Sequence, residues 1–381
     1  MRLPDEHSFT SWLRSPAVAA RVGWWLGICF GVAFLTGLVS HYAQAPSQPV
    51  PFPTRPVWGY RVTQGVHVLA GTAAVPLLLV KLWTVYPRLF TRPPRAWAAL
   101  VRHGLERLSI GVLVAAAVFQ LATGLANAAQ WYPWTFSFRA THYAVAWLAV
   151  GALVVHVAVK LPVIREALAA EVDSRGLDRR GTAAGPGVLS RRGLLRGTAL
   201  ASGVAVLAIA GGMVPWLRRL SVFAVPSSGG RLPVNKTARE AGVTARATGA
   251  AYRLTLVRGS REVVLTPADL AALPQRQAEL PIACVEGWSA NARWGGVRLR
   301  DLLDLVEAPA GSAVRVVSLQ ETGPFRTTTL PGNFADDPLT LLAVALEGRP
   351  LPLDHGHPCR LIAPNRPGVL QTKWVTRLEV L

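Results

Sequence analysis

The chain has 381 residues, 51% of them hydrophobic and only 16% charged, where soluble domains carry about 25% charged residues. A disordered, collagen-like or wholly water-soluble chain is excluded. The net charge is +19, and the basic surplus sits mostly in the apolar half, with 20 Lys and Arg against 7 acids up to Leu217 and 20 against 14 beyond it, which argues against a nucleic-acid partner.

In chain order, five apolar runs come first, with cores near 22–40, 62–83, 105–126, 140–161 and 195–217. Each is close to the roughly 20 residues that a membrane-spanning helix needs. Lys and Arg number 17 in segments 1–21, 81–107 and 160–196, and 3 in segments 41–61 and 128–139. The positive-inside rule therefore places the N-terminus in the cytoplasm of a bacterial-type cell, in its inner membrane. Residues 1–164 are read as a four-helix transmembrane domain and 165–194 as a mobile cytoplasmic linker. A fifth span follows over 195–217, with an extracytoplasmic domain over 218–381.

Ser190-Arg191-Arg192-Gly193-Leu194-Leu195-Arg196 at the end of the linker resembles a twin-arginine export signal. An ordinary positively charged membrane anchor reads almost equally well.

Ionisable groups inside a bilayer are costly and point to function. His67 and His142 lie at similar depths in the second and fourth spans, the arrangement that a bis-histidine haem b requires. His41, at the outer end of the first span, is an alternative outer ligand. His156 follows His142 by 14 residues, so it lies about 21 Å deeper and about 40° off the same helix face. This pattern resembles the di-haem membrane subunits of the cytochrome b561 and formate dehydrogenase type. His103 is the one residue on hand to pair with His156, and for that inner pair packing is the favoured reading.

From Tyr252 the texture changes to short β-rich runs between Gly and Pro turns. Strands are expected at 252–257, 262–265, 313–319, 341–346, 360–363 and 375–380. Short helices are expected at 267–273, with Thr266 as N-cap, and at 299–306. The fold class is thus an all-α transmembrane bundle of five spans followed by an α+β domain. Three cysteines, Cys29, Cys284 and Cys359, are too few and scattered for a disulfide framework or a Cys-x-x-Cys site. Cys284 follows an apolar run and precedes a Gly-Trp turn, which places it at a strand end.

Cys284-Val285-Glu286-Gly287-Trp288-Ser289 is followed by Trp294-Gly295-Gly296 and Leu299-Arg300-Asp301-Leu302-Leu303. Further blocks are Ala335-Asp336-Asp337-Pro338, Gly348-Arg349-Pro350-Leu351-Pro352, Asp354-His355-Gly356-His357-Pro358-Cys359-Arg360-Leu361 and Lys373-Trp374-Val375. This series resembles the molybdenum-cofactor domain of the sulfite oxidase family, which includes periplasmic methionine sulfoxide reductase catalytic subunits.

The resemblance implies that Cys284 ligates molybdenum beside a pyranopterin dithiolene. It implies further that Asn235, His355, Arg360, Gln371, Thr372 and Lys373 hold that molybdopterin. It also places Phe325 toward the metal, where the family usually carries a tyrosine. A phenyl ring cannot donate a hydrogen bond, and Pro233-Val234 stand where the family's substrate-site arginine is expected. Both departures count against sulfite as the substrate and leave the cofactor assignment intact.

The expected function is oxygen-atom transfer on a small, sulfur-containing substrate, with electrons exchanged through haem b and then with quinone or a soluble carrier. The alternatives are reduction of an S- or N-oxide, and a catalytically degenerate tethered binding domain.

Overall fold

The computed structural model describes residues 9–48, 52–178, 187–224 and 232–381. Five helices are long and apolar enough to cross a membrane: α1 (Pro16–Ala43), α2 (Gly59–Val85), α3 (Trp97–Ala128), α4 (Phe138–Ala169) and α5 (Arg191–Ala210). The fifth is shorter than expected. It ends at Ala210 because Gly211 and Gly212 follow and Pro215 cannot continue a helix.

Contacts divide the chain into two compact units. The first holds the helical segments up to Gly37, Val66–Ala210 and Leu220–Phe223. In it, the Arg21 guanidinium donates to the carbonyls of Ala167, Leu168 and Ala170 at the end of α4, satisfying acceptors that a helix terminus leaves bare. The segment expected as a linker from residue 165 is helical through Ala169.

Arg191 of the twin-arginine-like motif is wholly buried. It forms two 2.7 Å hydrogen bonds to the Asp178 carboxylate and lies 4.0 Å over the Trp12 ring. In this fold that arginine is a structural clamp at the head of α5, a role the local sequence does not reveal.

The second unit is larger than residues 218–381. It comprises Leu38–Gly65, Gly211–Arg219 and the chain from Ala224 onward. Its α+β part contains α6 (Thr244–Thr248), α7 (Pro267–Ala272), α8 (Leu299–Asp304) and α9 (Gly332–Ala335). The strands are β1 (Leu254–Arg258), β2 (Arg261–Leu265), β3 (Gln275–Ala283), β4 (Ser289–Arg298), β5 (Val314–Ser318), β6 (Thr327–Leu330), β7 (Leu341–Leu346), β8 (Arg349–Pro350), β9 (Arg360–Ile362) and β10 (Val375–Val380).

One sheet runs β2-β1-β10-β5-β6, with β1 and β10 parallel. The other runs β3-β4-β7-β8, with β9 also paired to β7. Side-chain alternation along β7 and β9 separates two cores. Leu342 and Leu361 join the core that contains Leu256, Leu302 and Leu378, while Leu341, Ala343 and Ile362 join the core that contains Cys284, Trp288 and Trp294. A strand buried on both faces reads as a continuous apolar run, as 341–346 does.

Thr266 caps α7 as expected. Its hydroxyl accepts from Asp269 N at 3.1 Å and the Asp269 carboxylate returns a bond to Thr266 N at 2.8 Å, a capping box. A strand ending at Cys284 was expected, though not its start at Gln275, and β4 was not expected as a strand. Pro281 inside β3 is tolerated because β3 lies at the sheet edge. Gly295 and Gly296 mark an irregularity in pairing with β7, and a Cβ on Gly296 would lie 2.2 Å from Leu342 O.

The first connecting loop packs into this unit. The buried Arg366 guanidinium donates to Gln48 Oε1 at 3.0 Å, Thr329 O at 2.9 Å and Leu370 O at 3.1 Å. Asn365 Oδ1 accepts from Tyr60 N at 2.6 Å, and Gln64 Nε2 donates to Val285 O at 3.1 Å.

Candidate functional site

Cys284 lies in the short connection between β3 and β4, directly after the last strand residue as expected. Cys284 N donates to Trp288 O at 2.9 Å and Gly287 N to Cys284 O at 3.1 Å, which closes the turn. The turn folds Glu286 back, so that one carboxylate oxygen lies 3.6 Å from the Cys284 sulfur and accepts from Trp288 Nε1 at 3.0 Å. Burial, then the Glu286 charge, pushes the Cys284 thiol up. Such a thiol is a poor free nucleophile, yet it remains a competent ligand, because a metal displaces the proton on binding.

Cys284 helps line a small pocket with Leu232, Pro233, Asn235, Ile282, Trp288, His355, Arg360, Gly368 and Lys373. Five of the residues expected at the site, from four separate stretches of chain, meet in this one space. Arg360 begins β9 and is buried; its Nε donates to Gln371 O and its Nη1 to His355 O, both at 3.2 Å. Its guanidinium lies 5.4 Å over the Trp294 ring. Lys373 Nζ donates to Lys236 O at 2.9 Å and Asp354 O at 2.8 Å.

Among the described residues neither cation has a carboxylate within ion-pair distance. Burial lowers Arg360 to about 10 and, together with the Arg360 charge, Lys373 to about 7. Two desolvated cations, backed by carbonyls and facing one cavity, suit a phosphorylated ligand, with Arg360 as a fork and Lys373 as a point charge. His355 is lowered to about 4, by burial first and then by Arg360 and Lys373, so it is neutral at pH 7 and can hydrogen-bond a ligand without adding charge.

Gly356 permits this convergence. Its φ is +118°, and a Cβ there would lie 3.1 Å from Arg360 Cβ and 3.2 Å from Lys373 Cα. A side chain there would crowd the Arg360 and Lys373 backbone region and hold a left-handed φ that favours glycine.

Three expected site residues lie elsewhere. Gln371 and Thr372 are buried but do not line the cavity. The Gln371 carbonyl holds Arg360, and the Thr372 hydroxyl pairs with Thr328 at 3.1 Å, so both act behind the site. Phe325 sits half-buried in the turn before β6 and is not among the lining residues. Sequence reasoning missed Glu286 and Trp288 as site residues; the signal available was the Gly287 turn, which folds both back toward the sulfur. Cys359 is a core residue, pushed up to about 12 chiefly by burial, with Tyr252 Oη 3.1 Å away.

In the helical unit, the His67 and His142 ring centroids are 6.3 Å apart. His156 is half-buried on α4, and His103 Nε2 accepts from Arg107 Nε at 2.7 Å, which engages the nitrogen an inner ligand would use. His41 packs edge-on against Tyr42 with ring centroids 5.9 Å apart.

The lowered Lys373 value has a testable sign. The unfolded lysine titrates near 10.5 and the folded one near 7, so between these the unfolded chain binds the extra proton and stability rises with pH. Below pH 7 this contribution is flat. The cofactor-free protein is expected to gain thermal stability from pH 7 to about 8, below the 9.0 at which unfolded thiols titrate, and Lys373→Met is expected to reduce that slope. Sulfate, whose charge is constant in this range, is expected to stabilise the protein by ~2.7 kcal/mol at pH 6 at a hundredfold excess over its Kd there, and by less at pH 9. Thermal melts check both.

Residues 241–381 match the family described as oxidoreductase molybdopterin binding domain. The chain is 29% identical over 157 residues to the mitochondrial sulfite oxidase of Homo sapiens, covering 34% of this chain and 29% of that one. It is 30% identical over 154 residues to the mitochondrial sulfite oxidase of Drosophila melanogaster, covering 34% and 27%. The crystal structure of the sulfane dehydrogenase SoxCD from Paracoccus pantotrophus aligns at 24% identity and a TM-score of 0.32, covering 34% of this chain and 38% of that one. The chain thus spans less than a third of the length of the curated relatives it matches.

Proposed function

We propose that the sulfite-oxidase-type molybdopterin-binding domain of residues 241–381 makes this chain a membrane-bound molybdenum-cofactor oxidoreductase, acting on a small sulfur-containing substrate and exchanging electrons through haem b. One observation carries the reading: Cys284 shares a single cavity with Arg360, Lys373, His355 and Asn235. Cys284 would hold molybdenum, and Arg360 with Lys373 the pterin phosphate. When bound, that group supplies two-electron oxygen-atom transfer.

The chain's own residues set the conditions. Ile282, Leu232 and Trp288 keep water from the sulfur, the exposed Asn235 stands at the mouth as both donor and acceptor, and neutral His355 orients the ring. No lining residue besides Arg360 and Lys373 is cationic, and both are assigned to the phosphate. An uncharged sulfur compound, as for methionine sulfoxide reductase catalytic subunits, therefore suits the cavity better than sulfite.

His67 and His142 would hold haem b in a cytochrome b561-like bundle, where it supplies one-electron exchange with quinone or a soluble carrier. The five apolar helices and the charge bias of their connections support an inner-membrane location with the N-terminus cytoplasmic.

The test is metal analysis and a dithionite-reduced minus oxidised spectrum of the purified full chain. Stoichiometric molybdenum with a b-type band supports the reading; a chain without molybdenum from a host that makes the cofactor overturns it. Arg360→Gln is expected to weaken cofactor retention about 10- to 100-fold, since hydrogen bonds to charged groups contribute ~1.5–3 kcal/mol. Molybdenum content after gel filtration measures this.

A further inference from the structure

The helical unit fixes the tautomers of both histidines. His67 Nδ1 lies 2.7 Å from the Ala33 carbonyl oxygen. A carbonyl only accepts, so Nδ1 carries the proton. His142 Nδ1 lies 3.1 Å from Thr123 Oγ1. The single hydroxyl proton of Thr123 goes to the Phe119 carbonyl at 2.7 Å, so the hydroxyl oxygen receives the His142 Nδ1–H.

In a neutral imidazole the other nitrogen then bears a lone pair. Both Nε2 atoms are thus bare, and no donor of the described residues reaches either. The 6.3 Å between centroids brings the two rings close enough for both to reach one metal ion. The α3 helix also grips the His142 backbone. Gln120 Nε2 donates to His142 O at 2.7 Å, while Gln120 Oε1 is buried without a hydrogen-bond partner.

We propose that Thr123 is the positioning residue of this two-histidine site: its hydroxyl fixes the His142 tautomer and ring orientation as the Ala33 carbonyl fixes those of His67. The proposal rests on the reading of His67 and His142 as haem ligands. The two acceptors are unequal, since a carbonyl at 2.7 Å draws on its imidazole more strongly than a hydroxyl at 3.1 Å. His67 is therefore the more electron-rich ligand, and His142 is the one that Thr123 tunes.

The test is haemin titration and redox titration of the full chain in detergent, for the wild type, Thr123→Val, Thr123→Ser and His142→Ala. Thr123→Val keeps the shape and removes the acceptor. It is expected to raise the haem dissociation constant about 10- to 100-fold and to shift the midpoint potential upward, because the oxidised iron loses ligand electron density. Thr123→Ser is expected to restore both. If Thr123→Val matches the wild type in both readouts while His142→Ala loses the band, the role of Thr123 is overturned and the ligand reading stands. If the wild type and His142→Ala have the same spectrum, the haem reading fails and the proposal fails with it.

Discussion

Cys284→Ser is expected to abolish molybdenum retention and to lower turnover by about 10³-fold or more, ~4 kcal/mol of transition-state stabilisation at 1.36 kcal/mol per decade. The serine hydroxyl is nearly the same size, so the turn closed by the Cys284 and Trp288 backbones is retained. What is lost is the soft sulfur that the proposed function assigns to molybdenum, a metal that would displace the thiol proton on binding. Cys359→Ser is the control. That residue packs in the other core against Tyr252 and the Val375 carbonyl, so the expected result is a lower thermal midpoint with molybdenum unchanged. Equal molybdenum in wild type and Cys284→Ser would remove the basis of the proposed function.

His142→Ala is expected to have the second largest effect, a loss of haem retention of at least about 100-fold, beyond the 10- to 100-fold that outer partners of a ligand typically cost. His67→Ala is expected to match it, because a bis-histidine iron needs both rings. Molybdenum bound through Cys284 is expected to survive both changes. His41→Ala and His156→Ala are expected to keep the b-type band, since the 6.3 Å pairing involves His67 and His142. A band that disappears with His41→Ala and survives His67→Ala would transfer the outer ligand to the first helix.

Much of the fold was legible in the chain because its signals are local. Uninterrupted apolar runs marked the five helices, and Thr266 marked the start of α7. The both-faces-buried β7 and β9 read as short apolar runs. Only the end of β3 was legible, and β4 was not, since Pro281 and the Gly295-Gly296 pair look like breakers until the edge position and the pairing irregularity with β7 explain them. The end of α5 was overrun because Val214, Trp216 and Leu217 prolong the apolar run past the Gly pair that stops the helix.

At the site, the sequence by itself determined the chemical types: a cysteine at a strand end, a histidine and an arginine four residues beyond a glycine, a lysine before a tryptophan. Local backbone preference and order along the chain encode these. Only the tertiary structure decided which side chains meet. It brought Arg360 and Lys373 to one cavity and left Gln371, Thr372 and Phe325 off its lining. It spent Arg191 on a buried clamp and paired two histidines from helices far apart in sequence. Such meetings depend on how whole elements bury their apolar faces, a sum over many weak and distant contacts that no short stretch of chain contains.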